Sequence, residues 1–185
     1  MSFYFLAIPI PKYIKDTLAQ YQQQYKKVLP YRQWTYVDDY HITLKFLGPV
    51  DKEQLDLLQH ELGQVNLRSS FELKISSLRT FGSPQRPRVL WVGVEKKREI
   101  MDLYEQVQTI CQSIGFKKET RPFQPHITLG KKWEGMAKER ELQQLIQSFS
   151  LEERFTVSKI VLYQIQPTNQ PKYQIVNEFS LSGGE

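Results

Sequence analysis

Residues 40–47 read Tyr-His-Ile-Thr-Leu-Lys-Phe-Leu, and residues 126–129 return to His-Ile-Thr-Leu. The first run alternates with period two, as a strand with two different faces does. His41, Thr43 and Lys45 are expected on one face, with Ile42, Leu44 and Phe46 on the other. Gly48-Pro49 closes it, and Asp51 is expected to cap a helix that reaches Leu62 and turns Leu55, Leu58 and Leu62 inward.

Upstream of that run, FYFLAI (3–8) is a short apolar strand ended by prolines. Ile14, Leu18, Tyr21 and Tyr25 then recur at helical spacing through residues 12–28. Downstream, FELKISSL (71–78) alternates, GSPQRPR (82–88) reads as a basic Pro-rich loop, and VLWVGV (89–94) is a buried strand. An amphipathic helix is expected over 96–114, ended by Gly115. After the second HITL a helix is expected over 137–149, then strands over 155–165 and 173–181, with a frayed tail at 182–185.

The order is a repeat. His41 lies 36 positions after Phe5, and His126 lies 36 after Leu90. In each half a strand, an amphipathic helix, the HITL strand, a second helix and a strand opening on Phe follow one another. The fold class expected is α+β. The 185 residues form a single bilobal domain of two pseudo-symmetric lobes, each an antiparallel sheet covered by helices. A pseudo-twofold axis brings the two HITL strands together across one cleft.

His-x-Thr on a strand sets an imidazole and a hydroxyl on the same face. Thr makes up nine of the 185 residues, so it falls at a given offset from a His about one time in twenty. Two such hits among three His would arise on the order of once in a hundred chains. Two imidazoles and two hydroxyls around one small volume suit a phosphodiester. One His accepts a proton, the other gives one, and the hydroxyls donate to non-bridging oxygens. Histidine suits both roles because its ordinary pKa is about 6.5. His60 lacks the pattern and is read as a solvated helix residue.

Other chemistries find less support. No Asp, Glu or Cys stands at ligand spacing beside either His, so no metal and no cofactor is expected. There is no G-x-S-x-G and no Gly-rich phosphate loop. Cys111 is the only cysteine and reads as core, which favours a reducing, cytoplasmic setting. The net charge of +5 suits an anionic partner, and no apolar run is long enough for a membrane span.

These residues resemble the two-histidine (2H) phosphoesterases, in particular the bacterial RNA 2′,3′-cyclic phosphodiesterases, also called 2′-5′ RNA ligases. The likeness is carried by FYFLAIPIP, HITLKFLG at 41–48, RPRVLWVGV at 86–94, RPFQPHITLG at 121–130 and VLYQI at 161–165. It implies metal-independent opening of RNA-terminal 2′,3′-cyclic phosphates to 2′-phosphomonoesters, with reversible 2′-5′ ligation as the same chemistry in reverse. It implies His41 as proton donor, His126 as proton acceptor, and Thr43 and Thr128 on the phosphate. The family pattern HxTLxR carries Lys131 here in place of Arg, a charge without the bidentate fork. The stretch Met-Ser-Phe-Tyr at the start also stands where the family commonly has Arg before its first strand.

Lys131 and Arg121 join the expected phosphate-binding set, and Lys45 and Trp133 are further expected substrate contacts. Arg86 and Arg88 in the loop, and Trp34, are weaker candidates for RNA contact. The partners expected are RNA ends or small 2′,3′-cyclic nucleotides, met by a monomer. The competing reading is a non-catalytic nucleotide- or RNA-binding module of the same fold.

Overall fold

Alternation, caps and prolines resolve into nine strands and four α-helices in a computed structural model that describes residues 2–135 and 138–182. The first half holds β1 (Ser2–Pro9), α1 (Lys12–Lys26), β2 (Tyr31–Trp34), a 3₁₀ turn (Val37–Asp39), β3 (His41–Val50), α2 (Lys52–Gln64) and β4 (Phe71–Ser83). The second holds β5 (Arg86–Val94), α3 (Arg98–Ser113), β6 (His126–Trp133), α4 (Glu139–Ser148), β7 (Arg154–Val157), β8 (Lys159–Ile165) and β9 (Tyr173–Ser180). The expected start of the last helix at Ala137 and the tail from Gly183 to Glu185 lie outside the described residues.

The local signals act as their chemistry requires. The Asp51 side chain accepts from the Gln54 N–H at 2.8 Å and caps α2. Gly115 sits at φ +94° just past α3, where a side chain would strain the turn. The expected loop at 82–88 is instead a tight hairpin, because β4 runs to Ser83 and β5 starts at Arg86. The strand expected over 155–165 is divided at Ser158 into β7 and β8.

Strand order is β7-β4-β5-β6-β3-β1-β8-β9, all antiparallel, with β2 also on β6. The two antiparallel sheets expected, one to each lobe, are here the two halves of one curled nine-stranded sheet, joined edge to edge at Ile42 with Ile127. The third strand of each repeat crosses over: β4 pairs with β5 of the second half, and β8 pairs with β1 of the first. The sheet also curls round, since β7 pairs with β4 and passes through Ser158 directly into β8. The pseudo-twofold axis passes between Ile42 and Ile127, and again between β4 and β7, where Phe71 pairs with Val157 and Leu73 with Phe155.

Register refines the repeat. Pro9 pairs with His41 as Gly93 pairs with His126, and Ala7 pairs with Thr43 as Trp91 pairs with Thr128. The structural equivalent of Leu6 is therefore Leu90, one residue away from the Phe5–Leu90 match that equal spacing suggests. One core, including Leu6, Ile42, Leu73, Val92, Ile127 and Leu162, spans both lobes. Cys111 is fully buried within it, and burial pushes its thiol up to about 12.

Candidate active site

The Ile42–Ile127 pair decides the geometry. Antiparallel register about it sets His41 across from Thr128 and Thr43 across from His126. Ile42 and Ile127 point into the core, so the four polar side chains share the opposite face. All four line one cavity of about 270 Å³, together with Thr35, Asp39, Phe46, Lys131 and Tyr173.

Both rings are held alike. His41 Nδ1–H donates to the Asp39 carbonyl at 2.7 Å, and His126 Nδ1–H donates to the Gln124 carbonyl at 2.7 Å. A carbonyl can only accept, so Nδ1 carries the proton and each Nε2 is left for the cavity. The Thr43 hydroxyl donates to His41 Nε2 at 2.9 Å. Aromatic rings wall each imidazole: Phe5 at 4.8 Å and Tyr173 at 5.2 Å from His41, Phe81 at 5.0 Å and Trp91 at 5.6 Å from His126.

These surroundings disfavour the imidazolium. Burial pushes His41 down to about 4, against the backbone hydrogen bond and helped by the charges of Lys131, His126 and Lys15. Burial also lowers His126, with Lys131 adding to the effect. Lys131 is itself lowered, by burial and then by Lys172. The resting site therefore holds two neutral imidazoles with the Lys131 ammonium in its wall, ready to compensate an anion.

A matched pair of β-bulges selects what stands beyond each Thr. Register slips between Leu6 and Ala7 opposite Leu44, and between Leu90 and Trp91 opposite Leu129. The fourth residue of each HITL thus absorbs an extra position and reverses the alternation after it. Lys45, expected beside His41, is turned into the protein: it is 6% exposed and its Nζ donates to the Lys117 carbonyl. Phe46 takes the cavity position instead. In the second motif the same reversal sends Gly130 inward, where a Cβ would meet the Trp34 ring at 3.2 Å, and brings Lys131 to the cavity.

The remaining candidates lie elsewhere. Trp133 is turned against Tyr31, ring centroids 5.0 Å apart, and its indole N–H donates to the Gly135 carbonyl, so it is not a cavity wall. Trp34 packs on the same Tyr31 at 5.6 Å. Arg121 is exposed in the segment before β6, outside the cavity lining, and Arg86 and Arg88 are exposed near the β4–β5 turn. His60 is exposed on α2. Sequence reasoning missed Asp39, Phe46, Thr35 and Tyr173. Only Asp39 left a signal, as an acidic residue two positions before the first HITL, matching Gln124 before the second.

Among the described residues no group of three or more His, Cys, Asp or Glu could hold a metal ion. Among the same residues no helix is long and apolar enough to cross a membrane.

Comparison with known proteins shows the family and the fold. The family model described as the 2′-5′ RNA ligase superfamily matches residues 14–169. An RNA 2′,3′-cyclic phosphodiesterase of Geobacillus stearothermophilus is 35% identical over 98% of this chain, which spans only 58% of that protein's length. A Bacillus subtilis protein of the same description is 32% identical, with 97% of this chain and 96% of that one covered. Among solved structures, E. coli LigT complexed with 3′-AMP superposes with a TM-score of 0.80 at 22% identity over 98% of each chain. That last likeness is one of fold.

Proposed function

The chain belongs to the 2′-5′ RNA ligase superfamily, and from that membership we propose that it is an RNA 2′,3′-cyclic phosphodiesterase. It hydrolyses a terminal 2′,3′-cyclic phosphate to a 2′-phosphomonoester by acid–base catalysis between His41 and His126. The observation that carries this reading is the pair of Nε2 atoms turned into one cavity, each fixed by an Nδ1–H bond to the carbonyl two residues before it.

Water attacks phosphorus opposite the 3′-oxygen. His126 Nε2 takes the water's proton, the P–O3′ bond breaks, and protonated His41 gives its Nε2 proton to the departing O3′. The products are a 2′-phosphate and a free 3′-hydroxyl. The division of labour follows the resemblance, the first-motif histidine giving the proton and the second-motif histidine taking it. The hydroxyls of Thr43 and Thr128 hydrogen-bond the non-bridging oxygens, and Lys131 offsets charge that grows there. A ribose hydroxyl replacing water in the reverse direction would join RNA ends 2′-5′.

Both histidines come from one chain and one core spans both lobes, which supports a single bilobal domain acting as a monomer. Buried Cys111, the sole cysteine, favours the cytoplasm. The test is end analysis of a cyclic-phosphate oligonucleotide after turnover. A 2′-phosphate with free 3′-hydroxyl is expected; a 3′-phosphate, or no turnover, contradicts the proposal.

A further inference from the structure

The catalytic cavity, at about 270 Å³, falls just under the range of about 300–1,000 Å³ usual for small-molecule sites. It has room for the reacting phosphate and its ribose, and an RNA chain must continue past it. A second, more open cavity of about 430 Å³ adjoins it through a shared wall, Tyr173. The rest of its lining is Gln166, Asn169, Gln170, Pro171 and Gln174, so four amide side chains and no charged one surround it.

That lining is selective in kind. A phosphate or acidic peptide would call for cations, and a lipid or apolar peptide for hydrophobic walls. Amides carry a donor and an acceptor together, as base edges do. Gln166 Nε2 donates to Gln174 Oε1 at 3.2 Å, which leaves the acceptor of Gln166 and the donor of Gln174 to a ligand. Single-stranded RNA ends are read in this manner, by edge hydrogen bonds with an aromatic ring alongside.

The turn is also tied to the chemistry. The Lys172 and Tyr173 N–H groups donate to the Asp39 carboxylate at 3.0 and 3.1 Å, and the Asp39 carbonyl holds His41. Exposed Lys172 stands in the same turn, between Pro171 and Tyr173 of the second cavity's lining, and acts electrostatically on Lys131 of the first.

We propose that the amide-lined cavity is the subsite for the base of the penultimate nucleotide, the one joined through its 3′-phosphodiester to the nucleotide that carries the cyclic phosphate, with Lys172 beside that connecting phosphodiester. This rests on the cyclic phosphodiesterase reading above and makes the enzyme selective for RNA ends over free cyclic nucleotides.

The experiment compares kcat/KM for a 2′,3′-cyclic mononucleotide and for a dinucleotide ending in the same cyclic nucleotide, in the natural protein and in Gln166→Ala/Gln174→Ala. The natural protein is expected to prefer the dinucleotide, and the variant to lose about tenfold of that preference, as one or two hydrogen bonds are worth. Both side chains lie at the surface, and a thermal melt checks that the fold is kept. Inhibition by the dinucleotide 2′-phosphate product, against the mononucleotide product, is a second measure and should weaken in parallel. Equal kcat/KM on both substrates in the natural protein overturns the subsite and leaves the phosphodiesterase reading standing. An equal loss on both substrates in the variant overturns it too, by assigning the cavity to the terminal base. Turnover of neither substrate by the natural protein removes both proposals.

Discussion

Asp39, a residue only 4% exposed, holds His41 through its backbone carbonyl, 2.7 Å from Nδ1, while its carboxylate receives the N–H groups of Lys172 and Tyr173. One residue thus aligns the imidazole and pins the β8–β9 turn over it. Asp39→Ala would leave two backbone donors without their acceptor, at about 1–3 kcal/mol each if they stay buried. A loss of about 2–4 kcal/mol in urea unfolding is expected, with a fall in kcat larger than the rise in KM, since alignment is what suffers. Asp39→Asn, which keeps one acceptor, should recover part of both. Unchanged stability in Asp39→Ala would contradict this role.

Both imidazoles sit below their ordinary pKa in the free protein, His41 at about 4. The productive form carries one proton on the pair, and in the free enzyme that form is most populated below pH 6.5. The kcat/KM profile should be a bell peaking on the acid side of neutrality. A bound anionic phosphate favours the imidazolium, so the kcat optimum should lie at higher pH. A kcat/KM optimum above pH 7 would overturn the assignment.

His41→Ala and His126→Ala should each lower kcat by about 10²–10⁴, the usual worth of a positioned proton carrier. Full activity should persist in EDTA, because the two rings spend Nδ1 on carbonyls and turn Nε2 to the same cavity, where no cluster of ligands stands among the described residues. Loss of turnover in chelator with recovery on adding zinc would favour metal chemistry instead.

The strands, the helices and the two histidines were legible because period-two alternation, the Asp51 cap and the HITL repeat are local signals. The bulges were not, since a bulge depends on the partner strand: Leu44 and Leu129 look like ordinary inward residues until Ala7–Thr43 and Trp91–Thr128 are seen paired. That is why Lys45 was expected in the cleft and Phe46 in the core, the reverse of the outcome. Trp133 failed for a similar reason, as its partner Tyr31 lies on β2 a hundred residues earlier. Tyr173 reaches His41 only through the β8–β9 hairpin, which no spacing rule anticipates.

Lys131 stands where the bulge after Thr128 turns a side chain to the cavity. A hydrogen bond to a charged group contributes about 1.5–3 kcal/mol, so Lys131→Met should cost about 10–100-fold in kcat/KM. Its charge lowers both histidines, and removing it should shift the kcat/KM bell to higher pH. Lys131→Arg keeps the charge and adds a bidentate fork, and a several-fold lower KM with little change in the bell is expected. Steady-state kinetics across pH on the three proteins checks all of this; an unmoved bell in Lys131→Met would sink it.

His41 also sets an acid limit on the fold. Its pKa is about 4 in the folded chain and about 6.5 when unfolded. Between those values the unfolded chain binds the extra proton, so stability falls as pH drops through that window and the loss is complete below about 4. The gap is worth on the order of 3 kcal/mol. His41→Gln cannot take up the proton, so its urea midpoint should fall less than that of the natural protein between pH 7 and pH 4, whatever the carboxylates contribute to both. Parallel losses in the two proteins would mean that the His41 ring is solvated in the folded state and would overturn this prediction.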